Sequence, residues 1–195
     1  MQAAAGTSLN DVAPGPTPSR RALITALGVL AALVLAVDQI TKALAVAWLR
    51  PDQSVPLLGD LLQLRITRNA GAAFSMATGA TWLLTAVAVV IVVVVLRSIR
   101  RLGSRGWAFA LGLLLGGALG NLADRLVREP GIGRGHVVDF IAYGQLFIGN
   151  VADIAIVAAA ALMGLLSIRG THLEGPGVEV PEPQAEHRTE DDVRG

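Results

Sequence analysis

The chain contains no cysteine, a single lysine (Lys42), a single tyrosine (Tyr143) and only 4% aromatic residues. Without cysteine there are no disulfides, no thiolate nucleophile and no Cys-based zinc or iron–sulfur centre. Charge is scarce as well: 16% of the 195 residues are Asp, Glu, Lys or Arg, against about a quarter in an ordinary soluble domain. The net charge of +1 provides no field for nucleic acid or for acidic partners. Of three histidines, His172 and His187 lie near the C-terminus and His136 stands alone, so no metal site and no cofactor is expected. What is abundant is hydrophobic side chain, 53% of the chain at a mean hydropathy of +0.58. Several long stretches carry no charge at all.

The carboxylates form a short census. Of 15 acids, seven follow residue 170 (Glu174, Glu179, Glu182, Glu186, Glu190, Asp191, Asp192) and Asp11 precedes the first apolar run. The body is left with Asp38, Asp52, Asp60, Asp124, Glu129, Asp139 and Asp153.

Residues 1–19, rich in Ala, Pro, Gly and Ser without apolar periodicity, read as a disordered leader, and the polar, acidic residues 171–195 as a disordered tail. Between them, residues 20–170 carry four apolar runs, at about 22–49, 82–96, 107–123 and 151–168. At about 1.5 Å per residue each is long enough for a bilayer, the shorter ones with modest thinning or extension. A cleaved signal peptide competes for the first run, which follows Arg20-Arg21. However, no small-x-small cleavage site follows it, and the apolar pattern continues through Leu49. Trp48, Trp82 and Trp107 all sit at span ends, as in an interfacial aromatic belt. The expectation is an all-α polytopic membrane protein of four transmembrane helices. Leu62–Thr67 alternates apolar and polar, and 136–141 with 145–148 can form a hairpin through Ala142-Tyr143-Gly144, so a small β-structured region is expected outside the membrane. The segment 97–106 holds Arg97, Arg100, Arg101 and Arg105 without an acid. By the positive-inside bias this places it, and both termini, in the cytoplasm.

The polar residues then gather near the other face. Asp38 lies 17 residues beyond Arg21 and Asn121 lies 14 beyond Trp107, about 25 Å and 21 Å up their helices. Each has a plain structural reading beside a functional one. Asp38 and Lys42, at i and i+4, can form a local ion pair, and Asn121, Asp124 and Arg125 share a helix face on which they can satisfy one another. Asn150 can cap the fourth span with Asp153 at its third position. Gly116 and Gly120 make a G-x-x-x-G packing face. Lys42 with Ser75 is the only pair open to a Ser–Lys protease, and Asp38 beside Lys42 would keep that amine charged.

Five polar blocks punctuate this apolar chain: Val37-Asp38-Gln39-Ile40-Thr41-Lys42, Arg68-Asn69-Ala70-Gly71-Ala72-Ala73-Phe74, residues 116–126 around Asn121, Asp124 and Arg125, Gly135-His136-Val137-Val138-Asp139-Phe140, and Asn150-Val151-Ala152-Asp153. In content and order, over roughly residues 22–168, they closely resemble the blocks of the lipoprotein signal peptidase (signal peptidase II) family. One departure is Gly149, which stands where the family usually carries Phe. The resemblance implies a multi-pass aspartyl endopeptidase of the bacterial inner membrane that cuts diacylglyceryl-modified prolipoproteins before the lipidated cysteine, with membrane lipids as its surroundings and no nucleic acid as partner. It implies that Asp139 and Asp153 are catalytic. It also implies that Asn69, Gly71, Asn121, Arg125 and Asn150 form a polar substrate-binding shell, with Asp38 and Lys42 lining the same site.

Two adjacent carboxylates suit that chemistry. Like charges resist ionising together, so the pair keeps one proton. The ionised member can then activate water while the neutral one acts as acid. A proton-coupled transporter or channel built on the same buried acids is the competing class. Against it, the polar residues do not continue to the cytoplasmic end.

Overall fold

The computed structural model describes residues 19–71 and 81–175. The leader as far as residue 18, the tail from residue 176 and residues 72–80, with Phe74 and Ser75, lie outside that description. Helix α1 runs over Arg20–Trp48 and opens at Ser19, whose hydroxyl accepts the Ala22 N–H. Helices α2 (Thr81–Ser98), α3 (Arg105–Val127) and α4 (Val151–Ile168) complete a set of four among the described residues, each long and apolar enough to cross a membrane. A single 3-10 turn, Ile99–Arg101, follows α2. Their outward faces are those of a lipid-embedded bundle. Val90 is 59% exposed and Val157 68% exposed, which water would not favour for so many large aliphatics.

Helix α3 is the central element and packs on α1, α2 and α4. Its glycines make this possible. A Cβ on Gly116 would stand 2.6 Å from the Val34 Cβ, and one on Gly117 would stand 2.6 Å from the Ala152 carbonyl oxygen. The G-x-x-x-G therefore seats α3 against α1 as its spacing predicts, and it does more than that. A Cβ on Gly120 would meet the Asp38 carboxylate at 2.6 Å, and the Gly120 carbonyl accepts from Gln39 Nε2 at 3.1 Å. The absent side chain makes room for a buried acid.

The bundle is divided along its length. Leu23, Leu27, Ala31, Val95, Leu102, Ala108, Leu111 and Leu115 form an apolar core in the Arg-rich half. Apart from Ser104, the buried polar side chains of the described residues lie at the other end: Asp38, Lys42, Asp124, Arg125, Asp139 and Asn150. A relay of buried polar groups across the membrane is thus missing among the described residues, which removes the support for a channel.

A four-stranded antiparallel sheet, in the order β1-β2-β3-β4, covers that polar end. Strand β2 spans Leu62–Asn69, β3 Val137–Tyr143 and β4 Phe147–Gly149. The hairpin expected from the sequence is present, but Tyr143 pairs with Phe147 across it, so the turn is 144–146 and not 142–144. Gly144 at φ +55° supplies the left-handed residue that this turn needs. Strand β1, Val55–Leu58, was not foreseen. All four of its residues are exposed, so no alternation marks it.

Candidate active site

Two aspartates converge from different elements. Asp139 lies in β3, where it pairs in register with Thr67 of β2, and is 1% exposed. Asp153 stands in the first turn of α4. The residue that joins them is Asn150. Its Nδ2 donates to Asp139 Oδ1 at 2.6 Å, its Oδ1 accepts the Asp153 N–H at 3.0 Å, and its own N–H donates to Asp153 Oδ2 at 3.1 Å. The last two bonds form a capping box. The cap and the site are therefore not alternatives: capping occupies one oxygen of Asp153 and leaves Oδ1 to accept from Asn121 Nδ2 at 2.8 Å.

Each amide is locked so that its NH2 faces a carboxylate. Asn69 Nδ2 donates to Asp139 Oδ2 at 2.8 Å, while its Oδ1 accepts the Gly71 N–H at 2.7 Å. Gly71 has φ +115°, a conformation that side chains disfavour, and this turn aims its N–H at Asn69. Asn121 Oδ1 accepts from Lys42 Nζ at 3.1 Å and from Asn150 Nδ2 at 3.3 Å. Rotating any of the three amides would break a bond on its oxygen. Burial pushes the Asp139 carboxyl up to about 6. Repulsion from Asp153 adds to the rise, and the bonds from Asn69 and Asn150 oppose it.

Asp38 and Lys42 are wholly enclosed, so they lie beneath the site rather than lining it. The expected pair forms, with Lys42 Nζ 2.8 Å from Asp38 Oδ2, but Lys42 also reaches Asp124 Oδ2 at 3.0 Å on α3. Asp124 is completed by Arg128 Nε at 2.8 Å, one turn along, and not by Arg125 as the shared helix face suggested. Arg125 is free for another purpose. One of its Nη groups donates to the Asn121 carbonyl at 3.3 Å, and its buried Nε has no partner among the described residues. The guanidinium feels the charges of Asp139, Asp153 and Asp124.

A groove of about 350 Å³ opens beside Asp153 and Asn150 and follows the apolar flank of α4 past Ile154 and Val157 to Ala161. Tyr143 and Phe147 line its outer end, stacked with ring centroids 4.6 Å apart. The Phe147 ring comes within 3.4 Å of the point where a Cβ on Gly149 would stand. An aromatic two residues earlier thus fills the space beside Gly149. Neither this aromatic pair nor the part played by Gln39 was foreseen. A hairpin through this segment was readable, but the register that pairs Tyr143 with Phe147 was not.

The family model described as signal peptidase (SPase) II matches residues 30–169. A lipoprotein signal peptidase from Rhodococcus jostii is 52% identical over 168 residues, covering 85% of this chain and 84% of that protein. One from Mycobacterium tuberculosis is 46% identical over 173 residues, covering 89% and 84%. A solved structure described as a bacterial membrane enzyme, determined by the in meso method at 1.9 Å resolution, superposes with a TM-score of 0.66 at 25% identity. It covers 75% of this chain and 94% of the other.

Proposed function

Because the chain belongs to the signal peptidase II family, we propose that Asp139 and Asp153 are the carboxylate pair of an aspartic endopeptidase and that the polar cluster around them is its active site. The activity itself, removal of signal peptides from prolipoproteins by a membrane protease, is that of the family. The observation that carries the site assignment is Asn150, which touches both aspartates at once. A carboxylate serving only as a helix cap needs no second acid beside it.

The roles follow from exposure. Asp153 borders the open groove and is the member that water reaches, so it takes the proton as water adds to the scissile carbonyl carbon. Asp139, buried and with its proton-bound form favoured, gives a proton to the carbonyl oxygen. Collapse of the tetrahedral intermediate breaks the C–N bond as one hydroxyl proton returns to Asp139, and the amine departs with the proton that Asp153 received. Arg125, with unused donor capacity beside the pair, steadies the developing charge on that oxygen and holds the substrate backbone. The groove along α4 accepts the lipid-embedded part of a diacylglyceryl-modified substrate, so the scissile bond reaches the pair at the membrane surface. Cleavage falls just before the lipidated cysteine.

The protein sits in the bacterial inner membrane with the sheet on the outer side and both termini in the cytoplasm. Arg20, Arg21, Arg97, Arg100, Arg101, Arg105 and Arg169 belong to the opposite end of the bundle. The sheet end holds seven basic residues too, but spread over longer loops among the acids, so the acid-free 97–106 segment is what supports this orientation. The test is release of the signal peptide from a purified diacylglyceryl prolipoprotein. Asp139→Asn and Asp153→Asn should each reduce turnover by about a thousandfold or more, and the double variant should be no worse than either. Asn at 153 keeps the cap. A folded Asp153→Asn protein that still turns over would return Asp153 to a capping role.

A further inference from the structure

Two backbone N–H groups immediately precede the two aspartates, and each is held by a buried acid from a different helix. The Ala152 N–H donates to Asp38 Oδ1 at 2.9 Å, and the Val138 N–H donates to Asp124 Oδ2 at 3.1 Å. Ala152 is in the first turn of α4, where helical amides have no acceptor within their own helix. Its bond to Asp38 therefore ties the start of α4 to α1, and the Asp124 bond ties β3 to α3.

Lys42 joins these two ties. Its Nζ lies 2.8 Å from Asp38 Oδ2 and 3.0 Å from Asp124 Oδ2, and it donates to Asn121 Oδ1 at 3.1 Å. An ammonium has three N–H groups, and each has its own acceptor here. The third leads to the pair as well, because Asn121 Nδ2 donates to Asp153. Lys42 itself is wholly enclosed and is absent from the lining of the groove. A cation present only to balance buried acids needs to be near them. This one reaches the residue before Asp139 by one arm, the residue before Asp153 by another, and the Asp153 carboxylate by the third.

We propose that Lys42 is the positioning residue of the aspartate pair: through Asp38 and Asp124 it fixes the backbone at Ala152 and Val138, and with it the separation of Asp153 and Asp139. The proposal rests on the reading of those two aspartates as the catalytic pair. Its weight comes from the steepness of catalysis with geometry, since a displacement of about 1 Å costs on the order of a hundredfold in rate.

The test compares Lys42→Arg, which keeps the charge but not the compact three-way grip, with Lys42→Met. Both are measured as the full chain in detergent with a diacylglyceryl prolipoprotein. Per folded molecule, kcat should fall roughly a hundredfold in each while KM stays within about threefold. A purely structural lysine would lower the folded fraction and leave kcat per folded molecule unchanged, so a folded variant of either kind with kcat within about threefold of wild type overturns the proposal. If neither variant folds, amide exchange in the unaltered chain decides. Slow exchange at Ala152, an N–H with no helical partner, supports the clamp, and exchange at the rate of an open helix end refutes it. Turnover by Asp139→Asn or Asp153→Asn would remove the premise instead, and that result is read independently of Lys42.

Discussion

Asp139 makes stability depend on pH in a direction that can be worked out from its surroundings. Its carboxyl rises from 3.8 to about 6 because it is buried, with repulsion from Asp153 adding to the rise. At about 1.36 kcal/mol per unit, holding it ionised in the folded state costs about 3 kcal/mol. The folded chain keeps a proton that the unfolded chain has released between those two values. This contribution therefore leaves stability untouched below about pH 4, erodes it as pH rises towards 6, and remains at its full cost above. Asp139→Asn removes the ionisation. Asn brings a fault of its own, because its NH2 must face one of two locked donors, Asn69 Nδ2 or Asn150 Nδ2, at a cost of about 1–3 kcal/mol. That fault is the same at every pH. The quantity to measure is thus a difference of differences: the stability of Asp139→Asn relative to wild type at pH 8, less the same quantity at pH 4. The expected value is about 2.5 kcal/mol in favour of the variant at the higher pH, because at pH 4 the unfolded carboxyl has already begun to ionise. Equilibrium unfolding in mixed micelles reads it, and titration of groups distant from Asp139 cancels between the two proteins. A value below about 0.5 kcal/mol would refute the reasoning and take from Asp139 the proton-holding role.

Three further outcomes follow from the same geometry. Gly71→Ala forces a side chain into φ +115° and towards Leu84, at a cost of about 1–3 kcal/mol. As the Gly71 N–H leaves Asn69, cleavage rate should drop about tenfold, an effect near 1.4 kcal/mol on the barrier. Arg125→Lys keeps charge but loses the planar fork, so kcat/KM should fall by about tenfold or more with residual turnover. Unchanged kinetics would show that the guanidinium takes no part. Finally, the chain has no cysteine, so single thiols report topology cleanly. Arg101→Cys, exposed at the Arg-rich end, should resist impermeant reagents in intact cells while exposed Ser54→Cys reacts, and the reverse pattern would invert the orientation.

Composition and periodicity were enough for the four helices, because a membrane span is specified by length and apolarity along one stretch of chain. They were enough for β2, whose alternation is local, and for the existence of the β3–β4 hairpin though not its turn, but not for β1, an edge strand with no buried face. The order of polar blocks, through its resemblance to the signal peptidase II family, also singled out Asp139, Asp153 and the residues around them as candidates. Spacing gave the Asp38–Lys42 pair within α1 but could not give the ion pairs made between helices. Spacing along α3 allowed Asn121, Asp124 and Arg125 to satisfy one another, whereas the packing of α1 on α3, permitted by Gly116 and Gly120, turned Asp124 towards Lys42. Nor could spacing show that Asn150 caps α4 and joins the two aspartates at once, or that three amide oxygens are occupied so that three NH2 groups face inward. Those are relations between residues far apart in the chain, 79 positions for Lys42 and Asn121, and the bond from Ala152 to Asp38 spans 114. Helical and strand periods reach only a few residues along the chain, so pairing across that distance is settled by close packing of elements and by the cost of leaving a buried polar group unmatched.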